Sequence, residues 1–204
     1  MKKDHVRLQR RPFLMPIWLG ALAAAVVLSF ASWLWGRADS TTVILIRHAE
    51  QETGAGVATP GVATPGGDPP GGDPPGGDPP LSAAGQARAA LLAHMFADPG
   101  PGRINAIYVT APLRNRMTAA PLAAALGITP AVVAGDPRDL ARRALREHSG
   151  GRILIVGHAD TMPQIVATLA GVAGVPPIGP LEYGTMYIVT VPRLGRANLL
   201  RVDY

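Results

Sequence analysis

The stretch that decides the fold is Thr42-Val43-Ile44-Leu45-Ile46, which leads directly into Arg47-His48-Ala49-Glu50. A second aliphatic run, Ile153-Leu154-Ile155-Val156, leads in the same way into Gly157-His158. Continuous runs of this length are typical of strands buried on both faces of a parallel sheet. Because ligands of open α/β sheets bind beyond the carboxyl ends of the strands, we expect both histidines in one pocket. Such a pocket suits phosphoryl transfer to a histidine nucleophile.

The rest of the chain alternates between helical and extended patterns, which predicts an α/β domain. Thr161 is suited to cap the helix that follows His158, so that the amide end of this helix would favour an anion in the pocket. We predict helices over residues 83–97, 115–126, 137–148 and 162–171, and strands over 42–46, 105–109, 130–134, 153–157, 185–191 and 198–202.

Four motifs occur in order along the chain, and they are Arg47-His48-Ala49, Leu81-Ser82-Ala83-Ala84-Gly85, the loop to Arg114 with Thr118-Ala119 after it, and Val156-Gly157-His158. Together they resemble the motifs of the histidine phosphatase superfamily, the fold shared with cofactor-dependent phosphoglycerate mutases. Two positions depart from the family pattern, because Met117 replaces the usual Gln and Thr110 replaces the usual loop Ser. The resemblance covers about residues 42–204 and implies a three-layer α/β sandwich with a mostly parallel central sheet.

The resemblance also implies roles for the site residues. His48 would attack phosphorus and form a phosphohistidine, while Arg47, Arg114 and His158 would bind the phosphate oxygens. Arg116 competes with Arg114 for this role, but the spacing of the family motif selects Arg114. A metal site made of His48 and His158 is the rival interpretation. Since no acidic or cysteine ligand stands in a motif with either histidine, we expect no metal and no cofactor.

Two residues are candidates for the group that donates a proton to the leaving group. Asp136 stands at a loop-to-helix junction where it could face the pocket, although an Asp before Pro137 is also typical of a helix N-cap. Asp160, two residues beyond His158, is the alternative donor.

The amino-terminal segment predicts a membrane anchor. Residues 1–12 form a basic tail, and residues 13–35 carry no charge over a length that exceeds the about 20 residues needed to cross a bilayer. We therefore expect a cytoplasmic tail, a transmembrane helix over 13–35, and a catalytic domain over 41–204 that faces the periplasm or the cell exterior. A cleaved signal peptide is the alternative.

The distribution of charge limits which partners the domain can have. The formal net charge is +5, but residues 1–37 hold six of the nineteen Lys and Arg residues and one of the fourteen acids. The domain is therefore close to neutral, and we expect no nucleic-acid partner.

Within residues 54–80, Gly-Gly-Asp-Pro-Pro occurs three times and offers few side chains that a core could bury. This loop is either a flexible rim over the pocket or a tandem expansion, which chains tolerate because closure entropy grows slowly with length.

Three functions are compatible with these patterns. The first is a membrane-anchored phosphomonoesterase that hydrolyses a small phosphorylated substrate outside the cytoplasm through a phosphohistidine. The second is a phosphohistidine protein phosphatase. The third is an envelope module that binds phosphate without catalysis.

Overall fold

The computed structural model describes residues 17–38, 40–52, 78–98, 100 and 102–204. The chain divides into two units, Met1–Arg37 and Ala38–Tyr204. Helix α1 spans Ile17–Ala38, with side chains described for residues 18–33. In the described part of the chain no helix is long and apolar enough to cross a membrane. The transmembrane helix predicted for residues 13–35 is therefore not supported. The basic tail of residues 1–12 lies outside the described residues.

The second unit contains every helix and strand predicted for the domain, each ending within two residues of its predicted bounds. The predicted α/β class is therefore confirmed. The elements are β1 Thr41–Arg47, α2 Ala83–Phe96, β2 Ala106–Thr110, α3 Leu113–Leu126, β3 Ala131–Val133, α4 Pro137–Glu147, β4 Arg152–Gly157, α5 Met162–Ala170, β5 Thr185–Val191 and β6 Asn198–Asp203.

The six strands form one mixed sheet in the order β3-β2-β4-β1-β5-β6. Strands β3, β2, β4 and β1 are parallel, whereas β5 runs antiparallel to β1 and β6 antiparallel to β5. The two strands that carry the histidine motifs are thus neighbours at the centre of the sheet. Arg47 at the end of β1 is level with Gly157 at the end of β4. Both motifs therefore leave the sheet at the same edge.

Helices cover both faces of the sheet, which gives the three layers expected from the resemblance. Because successive strand residues point to opposite faces, Val43 and Leu45 of β1 pack in one core with α4 and α5. Ile44 and Ile46 pack in the other core with α2 and α3. Burial on both faces explains why β1 and β4 read as unbroken aliphatic runs.

The low-complexity loop predicted for residues 54–80 lies mostly outside the described residues, which resume at Asp78. Its two ends are joined in the structure. The amide of Glu52 donates to the carbonyl oxygen of Pro80 at 2.9 Å, and Gln51 and Leu81 form an isolated antiparallel bridge. The loop therefore leaves and re-enters the domain at one place, three residues beyond His48.

Candidate active site

His48 follows β1 directly and is fully buried, with 0% of its surface exposed. Its Nδ1 lies 2.8 Å from the carbonyl oxygen of Ala49. Since a carbonyl oxygen can only accept, this contact places the ring proton on Nδ1. A neutral ring held in this way carries its lone pair on Nε2, which is the form that a nucleophilic imidazole needs.

The loop that begins at His48, residues 48–52 and hereafter the catalytic loop, is held from three sides. The amide of His48 donates to the carbonyl of Gly157 at 2.9 Å, and the amide of Ala49 donates to Oγ1 of Thr118 at 2.9 Å. Thr118, itself buried, donates to the carbonyl of Arg114 at 2.7 Å. On the third side, the backbone of Glu50 packs against Gly85 of α2, where a built Cβ would overlap the Glu50 carbonyl oxygen. His48 therefore stands at the start of a segment that is held by contacts on each of these sides.

Arg47 and Arg114 are both buried, at 0% and 1% exposure. One terminal nitrogen of Arg47 donates to the carbonyls of Gly179 at 3.0 Å and Pro180 at 2.8 Å. The guanidinium of Arg47 also lies 4.2 Å from the centre of the Tyr183 ring. Because a guanidinium is planar and rigid, these contacts fix the directions of all its N–H donors next to His48.

Arg114 occupies the first turn of α3. Its Nη1 lies 3.7 Å from Oδ1 of Asp78. The rival arginine, Arg116, is exposed on the same helix, so the structure places Arg114 and not Arg116 at the site. Met117, which replaces the usual Gln of the family motif, packs on a small cluster of Ala49, Leu81 and Ala89.

His158 lies at the end of β4, with its ring centre 5.4 Å from that of His48. Its Nε2 lies 3.0 Å from Oγ1 of Thr110 and 3.1 Å from Nδ2 of Asn115. Thr110 stands where the family usually has Ser, and Asn115 is fully buried. Thr161 is the N-cap residue of α5, as predicted, but its side chain makes no capping hydrogen bond, because its hydroxyl contacts the backbone of His158 instead.

A cavity of about 340 Å³ opens beside His158 and Arg114. Both candidate proton donors, Asp136 and Asp160, line this cavity. The Asp136 carboxylate accepts from the amide of Arg138 at 2.7 Å, so it also forms the N-cap of α4 that its sequence context indicates. Asp160 is exposed and lies closer in sequence to His158.

Several residues of the site carry no signal in the sequence. Tyr183 and the Gly179–Pro180 carbonyls lie in a segment without periodicity, more than 130 positions from Arg47. Asn115 follows Arg114 at a position that none of the motifs specifies. Asp78 belongs to the repeats, whose composition indicates no contact with the site.

Arg88 connects Glu50 of the catalytic loop to Tyr204, the residue that follows β6. Arg88 of α2 binds both carboxylate oxygens of Glu50, with distances of 2.7–3.1 Å, and donates to the carbonyl oxygen of Tyr204 at 2.9 Å. The hydrogen bond from Arg88 lowers the pKa of Glu50. Burial raises the pKa of the Tyr204 phenol to about 12.

Among the residues that the structure describes, no three His, Asp or Glu side chains are grouped so that they could hold a metal ion. The two histidines instead share their surroundings with arginines. That donor set fits a phosphate, because guanidinium groups bind its oxygens through charge-assisted hydrogen bonds.

Comparisons with known proteins agree with this geometry. The sequence model of the histidine phosphatase superfamily, branch 1, matches residues 43–136. No curated protein matches the sequence. Among solved structures, the protein histidine phosphatase SixA complexed with tungstate has a TM-score of 0.58 and 16% identity, and the alignment covers 79% of this chain and 96% of that one.

Two further structures show the same similarity. The native mycobacterial glucosyl-3-phosphoglycerate phosphatase has a TM-score of 0.57 and 13% identity, over 78% of this chain and 97% of that one. A phosphohistidine phosphatase SixA from Agrobacterium tumefaciens, described as putative in its own name, has a TM-score of 0.53 and 19% identity, over 80% of this chain and 98% of that one. At these identities the likeness concerns the fold. The family match places residues 43–136 in the histidine phosphatase superfamily, and the fold of these solved structures agrees with that assignment.

Proposed function

We propose that the domain is a phosphomonoesterase that hydrolyses a small phosphorylated substrate through a phosphohistidine on His48. The observation that carries the proposal is the contact between Nδ1 of His48 and the Ala49 carbonyl, which sets Nε2 as the nucleophilic atom. The ring stands beside that of His158 and next to the buried Arg47. A phosphoryl group needs such fixed positive charge because its transfer spreads negative charge over the equatorial oxygens.

The reaction has two steps. In the first, Nε2 of His48 forms a bond to phosphorus while the bond from phosphorus to the ester oxygen breaks, and Asp136 or Asp160 gives its proton to the departing alkoxide. In the second, a water molecule gives a proton back to that carboxylate and attacks phosphorus, which releases inorganic phosphate and restores His48. Arg47, Arg114 and His158 stabilise the charge in both steps.

The phosphoenzyme provides the direct test. Incubation with a small phosphomonoester followed by an alkaline quench should trap the adduct, because phosphohistidine is acid-labile and survives base. Since His48 is buried, we choose His48→Asn, which keeps a polar side chain, and we expect it to abolish adduct and turnover. His94→Asn is the matched control, because His94 is exposed on α2 and should retain both.

Arg114→Ala and His158→Ala should still form the adduct, but about 10² to 10³ times more slowly, the usual scale for one preorganised charge-stabilising group. Full activity in His48→Asn would overturn the covalent mechanism. If that variant remained active and a chelator abolished its activity, the metal interpretation of the two histidines would replace it. If wild type bound phosphate but showed neither adduct nor turnover, the module would be a non-catalytic phosphate binder.

A phosphohistidine protein phosphatase is the second candidate, and the similarity of the fold to SixA supports it. The two candidates differ in the size of the substrate. A phosphohistidine-labelled protein and a panel of small phosphomonoesters, assayed with the same preparation, should separate them by their kcat/KM values. We expect the small esters to be the better substrates, because the cavity beside His158 has the volume of a small molecule.

We further propose that the domain acts outside the cytoplasm. Basic residues ahead of the uncharged stretch 13–35 are typical of exported proteins, whether or not that stretch is later cleaved. An alkaline phosphatase reporter fused after Tyr204 should be active, and a fluorescent reporter that needs the cytoplasm should be dark at the same position. The opposite pattern would place the domain in the cytoplasm and favour the phosphohistidine protein phosphatase.

A further inference from the structure

Asp78 connects the Gly-Gly-Asp-Pro-Pro repeats to the active site. It is the aspartate of the third repeat and the first described residue after 53–77. Its place is fixed by the residues that follow it, since the Pro80 carbonyl accepts from the Glu52 amide and Leu81 pairs with Gln51. The loop after His48 therefore holds Asp78 in position.

The Asp78 carboxylate lies against the amino end of α3. Oδ2 accepts a hydrogen bond from the amide of Leu113 at 2.5 Å, and Oδ1 lies 3.7 Å from Nη1 of Arg114. The N-cap residue of α3 is Pro112, which provides no side-chain hydrogen bond. Asp78 thus supplies, from 35 residues away, the acceptor that a capping side chain normally gives.

These two partners are also the groups that a phosphate would use. A helix-start amide carries partial positive charge, and a guanidinium binds phosphate oxygens strongly. Asp78 is one negative charge, whereas a phosphate monoester carries nearly two, so both anions attract the same side of Arg114 and repel each other. The Asp78 side chain is 32% exposed, so solvent weakens this repulsion without removing it.

We propose that Asp78 is an internal anion that competes with the substrate phosphate for Arg114 and thereby sets the phosphate affinity of the site. The proposal rests on the proposed function, because it assigns phosphate binding to Arg114. Competition of this kind weakens the binding of substrate and of the product phosphate together. Asp78 of the third repeat therefore also determines how readily the product phosphate leaves the site after each turnover.

The test uses the full chain and inorganic phosphate as the probe. Asp78→Asn removes the charge while the Asn side-chain oxygen can still accept from the Leu113 amide. We expect the Kd for phosphate, measured by isothermal titration calorimetry, and the KM for a small ester to fall by about two- to fivefold, the scale of one partly exposed charge. Asp78→Glu keeps the charge and should retain the weaker wild-type affinity. Asp139→Asn is the control, because Asp139 is exposed on α4 and pairs with Arg142; its Kd should not change.

Three results would overturn the proposal. A weaker phosphate affinity in Asp78→Asn would mean that Asp78 positions Arg114 rather than competing with phosphate. A lower kcat for alkyl esters but not for p-nitrophenyl phosphate, with phosphate affinity unchanged, would make Asp78 the proton donor. An unchanged Kd together with unchanged kinetics would show that Asp78 has no influence on the site. Because calorimetry needs no turnover, a failure of the phosphatase assay alone would count against the proposed function and leave the competition test valid.

Discussion

Replacing Gly85 by alanine tests whether the catalytic loop depends on close contact with α2. Gly85 lies inside this helix and is buried against the backbone of Glu50, two residues beyond His48. A Cβ at this position would lie 3.0 Å from the carbonyl carbon of Glu50 and 3.1 Å from its amide nitrogen, and it would overlap the carbonyl oxygen. All three atoms belong to the backbone, so no side-chain rotation can relieve the overlap.

The magnitude follows from two opposing effects. In an open helix position, alanine is more stable than glycine by about 1 kcal/mol. Overpacking of a dense region costs about 1–3 kcal/mol, and an overlap with rigid backbone belongs at the upper end of that range. We therefore expect Gly85→Ala to lower the free energy of unfolding by about 1–2 kcal/mol, and the midpoint by roughly 2–8 °C for a domain of this size. A shift of about 1 Å in the loop that carries His48 should lower kcat about 10²-fold.

Thermal unfolding and steady-state kinetics on the same preparation provide the assay. Ala87→Gly is the matched control, because Ala87 is exposed on the same helix. It should lose about 1 kcal/mol through helix propensity alone and keep the wild-type kcat. A Gly85→Ala variant that melts at a higher temperature than wild type and turns over at the wild-type rate would refute the steric argument.

Three further perturbations test other parts of the structure. The hydrogen bond from Arg88 lowers the pKa of Glu50 below its usual 4.5. The Arg88–Glu50 pair therefore stabilises the fold fully above pH 4.5, and this stabilisation is lost as the pH falls through the lowered pKa of Glu50. Wild type should therefore melt at a higher temperature than Glu50→Gln at pH 7, and the two midpoints should converge as the pH falls below the lowered pKa of Glu50; a constant difference would contradict the linkage. Asn115→Ala should lower kcat about tenfold and shift the pH profile of kcat/KM, because His158 loses a neighbour of Nε2; an altered midpoint with unchanged kinetics would indicate a purely structural role. Deletion of residues 57–76, which lie outside the described residues, should leave the thermal midpoint nearly unchanged, and a large loss of stability would show that the loop packs on the domain.

The central strands of the fold could be predicted because their burial on both faces is visible directly in their sequence. Strands β1 and β4 are covered on both faces, so their sequences are continuous aliphatic runs that no surface element would carry. The histidines come directly after these runs, and parallel neighbours place their carboxyl ends together. Gly85 could be identified from the resemblance, and the structure gives its physical reason in the contact with Glu50.

The limits of the prediction lie where a residue acts on a distant part of the chain. Helix α3 begins at Leu113 rather than at residue 115, because its first amide is bonded by Asp78 and not by a capping residue nearby. Thr161 has the residue type of an N-cap, but its hydroxyl binds the backbone of His158. The predicted transmembrane helix followed from the absence of charge over residues 13–35, and the structure does not support it.

The contacts around His48 explain why so much of this site is buried before any substrate binds. Each neighbouring element fixes a different atom of the catalytic loop: β4 accepts from the His48 amide, α3 from the Ala49 amide through Thr118, and α2 binds the Glu50 carboxylate through Arg88. A buried polar group is costly when it lacks a partner, so this arrangement is stable only because each of these backbone amides and carboxylate oxygens is bonded. The same bonds hold His48 in one orientation, which means that little of a substrate's binding energy would be needed to order it. Stability and preorganisation of the site therefore have the same physical origin, and substitutions in this network should change the thermal midpoint and kcat together.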